Sequence, residues 1–188
     1  MVPMSVEEIA KAVDGRLVAG DGPAIEATET VTDSRQAGSG AVFVAIKGER
    51  VDGHDFVDKV ADQGAAAAIV DHEVACTTMP QIVVEDTVAA LGLLAKHNID
   101  RRRQLPGAFD LIGLTGSVGK TTTKDLLSAL LSTLGPTVAP IGSFNNEIGL
   151  PLTALRVNAD TRFFVAEMGA NHIGEIARLT RIAPPNTV

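Results

Sequence analysis

Tryptophan and tyrosine are absent from this 188-residue chain, and aromatic residues make up only 3% of it. Its core must therefore be built from Val, Ile, Leu, Ala and the six Phe. A lone cysteine, Cys76, excludes an intrachain disulfide and fits a reducing compartment. With no helix start or basic residue beside it, Cys76 reads as a bystander thiol rather than a nucleophile. No stretch approaches the ~18 consecutive apolar residues of a membrane span. The amino terminus lacks the basic region and apolar run of a signal peptide, so the expected setting is the cytoplasm. Positive charge is also scarce: 16 Lys and Arg stand against 23 Asp and Glu, a net charge of −7. Such a chain does not attract nucleic acid or anionic membranes through its overall field, so any anionic ligand must be held by a local site. Residues 1–106 hold 10 basic and 17 acidic groups and carry the whole deficit, whereas residues 107–188 hold 6 of each. The one basic cluster, Arg101, Arg102 and Arg103, reads as the solvated end of a helix, where cations are favoured.

At 45% apolar and 21% charged the chain is otherwise ordinary for a globular protein. Ser5 followed by Glu8 forms a capping box, and Val6, Ile9, Ala10 and Val13 then mark one helical face, ended by Gly15. Short strands are expected around Leu17–Val18, Ile25 and Val31. "AVFVAIKG" (41–48), "AAAAIV" (65–70) and "QIVVE" (81–85) read as buried strands, with helices over 55–63 and from Asp86 to about Arg102. "QLPGAF" then marks a boundary. After it, strand, glycine-rich turn and helix (120–134) are followed by "TVAPI", "IGLPLTALR", "RFFVAEMG" and a helix over 174–182. This rhythm predicts a parallel, doubly wound sheet. The expected domains are 1–106, small and mixed α/β, and 107–188, the first part of a doubly wound parallel domain. The second supplies three strands and stops at "APPNTV", where another strand is expected, so it reads as cut short.

"LIGLTGSVGKTTT" carries the strongest chemical signal. A buried strand ends at Leu114, and Gly116 and Gly119 permit a tight turn and close approach to an anion. The amides of Ser117, Val118, Gly119 and Lys120 can form a nest for phosphate oxygens, at a helix start whose dipole favours negative charge. Lys120 can reach β- and γ-phosphates, and the Thr121 hydroxyl is placed for Mg2+. The standard spacing would need Gly at position 114, which is Leu, so the loop is a variant. Glu167 closes a second apolar strand at the end where ligands gather in parallel sheets, as an acid that binds Mg2+ directly or through water. Asn145, Asn146 and Glu147 lie near the same sheet end by topology. They contact a phosphate, or one of the asparagines merely caps the next helix. His172 is a cap, a surface residue or a ligand. In the first domain, Ser34, Arg35, Lys47 and His54 could converge on a diphosphate; composition alone supports only a polar, turn-rich loop.

These strings resemble the Mur ligase family. "VTDSR", "GAVFVAIKGERVDGHDFV" and "GAAAAIV" are similar to its uridine-nucleotide-binding domain, and "TGSVGKTTTKD" to its ATP loop. "SFNNEIGLPLTALR" and "EMGANHIGEIARLTRIAPPNTV" resemble the branch that adds a dipeptide rather than a single diamino acid. The resemblance implies an ATP- and Mg2+-dependent amide ligase, joining D-alanyl-D-alanine to UDP-N-acetylmuramoyl-tripeptide through an acyl phosphate in peptidoglycan precursor synthesis. It implies ATP contacts at Thr115, Gly116, Ser117, Val118, Gly119, Lys120, Thr121, Thr122 and Asn145, and catalytic roles for Lys120, Glu167 and Asn146. Thr121 and Glu167 are the implied metal ligands, and Ser34, Arg35, Lys47, Asp52 and His54 the implied uridine-substrate contacts. No nucleic acid or membrane span is implied, and a monomer is expected. The family's later metal-ligand segment and third domain have no counterpart here, so the chain alone is expected to be inactive. A ligase adding a single diamino acid and a non-catalytic ATP-binding module are the alternatives.

Overall fold

The computed structural model describes residues 1–18, 20, 25–75, 78–170 and 172–188; Cys76 lies outside them. The chain forms two compact units, Met1 with Pro3–Leu94 and Val2 with Ala95–Val188.

In the first unit, α1 (Val6–Ala12) begins at Ser5, whose hydroxyl accepts from the Glu8 amide at 3.2 Å, one half of the expected capping box. A five-stranded sheet follows, built from β1 (Arg16–Val18), β2 (Glu29–Val31), β3 (Ala41–Val44), β4 (Ala67–Val70) and β5 (Gln81–Val83). Its order is β1-β5-β4-β3-β2, parallel except for β1 on β5. Ile25 forms no strand. β3 and β4 are buried along their whole length, as parallel strands covered on both faces must be. Phe43, Ala45, Ala68 and Val70 pack with Val57 and Val60 of α2 (Val57–Asp62). A 3-10 turn, Gly53–Phe56, leads into that helix. The small side chain of Ala68, its register partner on β4, leaves room for Phe43, whose burial contributes roughly 2–3 kcal/mol.

Asp86 caps α3 (Thr87–Gln104), accepting from the Val88 and Ala89 amides at 2.8 and 2.9 Å. The division between the units falls inside this helix. Its carboxyl half belongs with the second unit because Asn98 and Arg102 are bonded there. Asn98 donates to Ala154 O and Val157 O at 2.9 Å each. Arg102 corrects the expectation of a solvated arginine cluster. It is 3% exposed, donates through Nε to Thr161 O at 2.8 Å and lies over the Phe109 ring. The carbonyls of Thr161 and Ala108 meet Nε and Nη2 and the aromatic face covers the fork, while Nη1 has no hydrogen-bond partner.

The second unit has β6 (Asp110–Leu114), α4 (Lys120–Ser132), β7 (Thr137–Val138), α5 (Gly149–Ala154), β8 (Phe163–Glu167) and α6 (Glu175–Ile182). The sheet order is β6-β8-β7, all parallel, with β8 central and wholly buried. Register pairs Leu114 with Glu167. That pairing sets the acid beside the strand end from which the glycine-rich turn departs. Among the described residues no helix is long and apolar enough to cross a membrane.

Asn98 is fully buried and also accepts the Val2 amide at 2.9 Å. Asn98→Leu should lower unfolding free energy by about 2–4 kcal/mol, because it leaves buried backbone groups unpaired. Urea denaturation followed by circular dichroism measures it.

Candidate functional site

The loop after β6 has the expected glycine geometry. Gly116 and Gly119 have φ of 146° and 78°, conformations that a side chain resists. Gly119 is the residue before α4, and the loop side chains are exposed, Val118 to 87%. Lys120 opens the helix and its ammonium donates to the Gly116 carbonyl at 2.5 Å. Thr115, Ser117, Thr121 and Thr122 surround it in sequence.

Glu167 is fully buried. Its Oε1 accepts from Asn145 Nδ2 at 2.8 Å and from the Thr121 hydroxyl at 3.3 Å, while Oε2 has no hydrogen-bond partner. Burial of a carboxylate oxygen without a donor is costly, and a hard divalent cation meets that need with oxygen ligands of this kind. Thr121 and Glu167 could therefore hold Mg2+. Ser117 to Thr122, Ser143, Asn145 and Glu167 line a cavity of about 290 Å³. Another, about 370 Å³, reaches from Lys120 and Asn145 to Glu147 and Arg178, which form an ion pair at 2.8 Å.

The two asparagines separate. Asn145 meets Glu167, and a Cβ on Gly169 would stand 2.6 Å from the Asn145 amide carbon. Gly169 is thus required for this close approach. Asn146 instead accepts through Oδ1 from the Ile148 and Gly149 amides at 3.3 and 2.8 Å, the capping role left open by the sequence, although it also lines the larger cavity. His172 lies before α6 with its amide bonded to Glu175 at 3.1 Å, and it is exposed. Lys124, not singled out from the sequence, is 2% exposed and donates to Pro140 O and Gly142 O at 2.9 and 3.1 Å. Its one sequence signal is its place one turn beyond Lys120 and Thr121 on the same helix.

In the first unit, β2, β3 and β4 run parallel as neighbours. Ser34–Arg35, Lys47–His54 and Asp71–His72 follow them and so share the carboxyl edge of one sheet. Ser34 is buried and Lys47 exposed. Arg35 is paired to Asp33 at 2.6 Å, with its side chain 81% exposed. Its hydrogen bonds hold the Asp33 carboxyl down at about 2. His54 is committed elsewhere. Nε2 accepts the Asp71 amide at 3.1 Å and lies 3.2 Å from Asp71 Oδ1, and Nδ1 meets Asp52 at 2.6 Å. Asp52 also accepts the His54 amide at 3.0 Å, and the two bonds hold its carboxyl below its ordinary range. The exposed His72 ring stacks on His54 at 4.5 Å. With both nitrogens engaged, the buried His54 ties the loop between β3 and β4 together.

Comparison with known proteins fits this layout. Residues 27–99 match the description "Mur ligase family, catalytic domain", and residues 114–188 match "Mur ligase middle domain". The chain belongs to the Mur ligase family. It is 38% identical over 190 residues to the UDP-N-acetylmuramoyl-tripeptide–D-alanyl-D-alanine ligase of Haemophilus influenzae, covering 99% of this chain and 40% of that protein. The chain thus spans about 40% of the length of the curated relatives it matches. A solved structure of UDP-N-acetylmuramoylalanyl-D-glutamyl-2,6-diaminopimelate–D-alanyl-D-alanyl ligase from Acinetobacter baumannii superposes with a TM-score of 0.86. It shares 39% identity and covers 97% of this chain and 40% of that one. A Mur ligase of Thermotoga maritima solved in complex with ADP gives a TM-score of 0.72 at 38% identity, over 84% of this chain and 35% of that one.

Arg35→Ala should raise the Asp33 carboxyl from about 2 towards, but not fully to, the ordinary aspartate value, because the side-chain bonds go while the backbone amide of residue 35 still donates to it. Because the depressed value belongs to the folded pair, whatever it contributes is present above the ordinary value and lost as pH falls towards 2. A carboxyl-carbon NMR titration reads the change directly. Separately, Gly169→Ala should push the Asn145 amide off Glu167, and a crystal structure of the variant should show that hydrogen bond broken.

Proposed function

We propose that this chain is the uridine-nucleotide- and ATP-binding part of a ligase that joins D-alanyl-D-alanine to UDP-N-acetylmuramoyl-tripeptide, forming ADP and phosphate. The observation that carries the reading is Glu167. It is a buried carboxylate with one oxygen held by Asn145 and Thr121 and the other unpartnered, set by strand register at the start of a phosphate-type loop. The names of the relatives at 38–40% identity support the substrates, and the ADP complex of one of them supports the nucleotide.

The residues suit phosphoryl transfer because that chemistry asks for positioning and neutralised charge rather than a protein nucleophile. The amides of residues 116–120 receive phosphate oxygens. Lys120 exchanges its Gly116 carbonyl for the β- and γ-phosphates. Thr121 and Glu167 would hold Mg2+, which would neutralise phosphate charge, and Asn145 keeps Glu167 oriented. The γ-phosphoryl group passes to the terminal carboxylate of the peptide as its bond to ADP breaks. The amine of D-alanyl-D-alanine then attacks the acyl phosphate, loses a proton and expels phosphate to leave the amide. In residues 1–106, Ser34, Arg35 and Lys47 hold the uridine diphosphate portion, with Arg35 exchanging Asp33 for the ligand, and the Asp52–His54 pair shapes the loop beside it. Residues 107–188 carry the ATP site. The reading takes the protein as a cytoplasmic monomer, where ATP and a soluble uridine-linked precursor are both available.

Calorimetry on the chain should detect binding of ADP with Mg2+. Lys120→Ala should weaken it by about tenfold, the scale of losing a charge-assisted hydrogen bond to the β-phosphate, the one of its two partner phosphates that ADP carries; unaltered affinity would remove the loop from the reading. Arg35→Ala should weaken a UDP-muramoyl peptide and spare ADP, whereas equal losses for both ligands would indicate damage to the fold.

A further inference from the structure

We propose that Lys124 is a positioning residue of the ATP site. Its buried ammonium ties the loop after β7 to α4, which brings Asn145 onto Glu167 and leaves the second carboxylate oxygen for the cation. This rests on the magnesium–nucleotide reading above.

Lysine is almost never fully buried unless it is paired, and Lys124 is 2% exposed. An ammonium has three hydrogens to place. Here there are three acceptors: Pro140 O at 2.9 Å, Gly142 O at 3.1 Å and Asp125 Oδ1 at 2.7 Å. Two of the three belong to the loop over residues 139–144, which burial holds at Pro140 but not over residues 141–144. Its large side chains, Ile141 and Phe144, are 71% and 57% exposed. Asn145 follows directly, donating to Glu167 at 2.8 Å while its own carbonyl accepts the Gly169 amide at 2.9 Å. At the other end of the tether, Lys124 lies three residues after Thr121 on α4, so it and the second partner of Glu167 ride on one rigid element. Both groups that grip Oε1 are therefore located through this helix, Thr121 directly and Asn145 by way of the ammonium. Loss of the charge frees the Gly142 carbonyl to take water, because that residue is exposed, and leaves the buried Pro140 carbonyl without its donor. The loop then slackens without opening the core.

The test is ADP binding by calorimetry with and without Mg2+, on wild type, Lys124→Met, Asn145→Ala and the double variant. Methionine keeps the length and apolar stem of lysine and removes the donors. In Lys124→Met the Mg2+-dependent gain in ADP affinity should fall about tenfold, while Mg2+-free affinity stays within about twofold, since Lys120 and the loop amides are untouched. Asn145→Ala should give a similar loss. The double variant should be no worse than the larger single, because both act through one bond. A full Mg2+-dependent gain in Lys124→Met overturns the proposal, and so do additive losses. Equal loss with and without Mg2+, with a lowered melting temperature, also overturns it, as the mark of a merely structural lysine. If Lys124→Met does not fold, Lys124→Gln, which keeps an amide donor for one carbonyl, is measured against the same outcomes. Failure of the wild-type chain to bind ADP at all would instead sink the nucleotide reading itself, and that result is distinct from a retained gain in the variant.

Discussion

A carboxylate taken wholly out of water must find donors or positive charge, and Glu167 finds donors for only one of its two oxygens. The second unit is arranged around that shortage. β8 is central in its sheet, so its last residue cannot turn away to solvent. Parallel pairing with β6 sets that residue opposite Leu114, where the backbone leaves the sheet for the glycine-rich turn. α4 brings the Thr121 hydroxyl from one side and the segment after β7 brings the Asn145 amide from the other. Gly169 stays small so that the amide fits. A cation bound to the remaining oxygen would relieve the desolvation of the acid and meet the negative phosphates at once.

The first unit meets a different demand. Three parallel strands release their loops at one edge, and those loops are polar and close to one another. Hydrogen bonds order them, together with the burial of Ser34 and His54. His54 joins the segment after β3 to the start of the segment after β4, using one ring nitrogen for each, and Asp52 both caps the 3-10 turn and meets Nδ1. Arg35 is held differently, by an exposed pair with Asp33 that solvent screens. A pair of that kind costs little to exchange for another anion. Rigid groups thus shape the edge, while an exchangeable one faces outward.

Much of the site was legible because it is local. Residues 115–122 form one unbroken turn and helix start, and each feature depends on its immediate neighbours: positive φ at glycine, amides at a helix terminus, lysine at its first position. Glu167 was legible as the polar end of an apolar strand. Asn145 and Asn146 were not separable from the sequence, because their roles differ by which of two adjacent side chains faces β8 and which faces back to its own helix. Arg102 and Lys124 were missed or misread for a related reason. A long cationic side chain is solvated unless acceptors wait for it, and theirs are the carbonyls of Thr161, Pro140 and Gly142, remote along the chain.

The order of strands and helices, apart from the strand expected at Ile25, the glycine-rich turn and the family itself follow from the letters alone, since periodicity, glycine spacing and capping act over a few residues. Tertiary structure decided which oxygen of Glu167 stays unpaired, which asparagine reaches it, and that His54 is spent on the fold. Those outcomes depend on sheet order and register, which bring together groups that the chain keeps far apart.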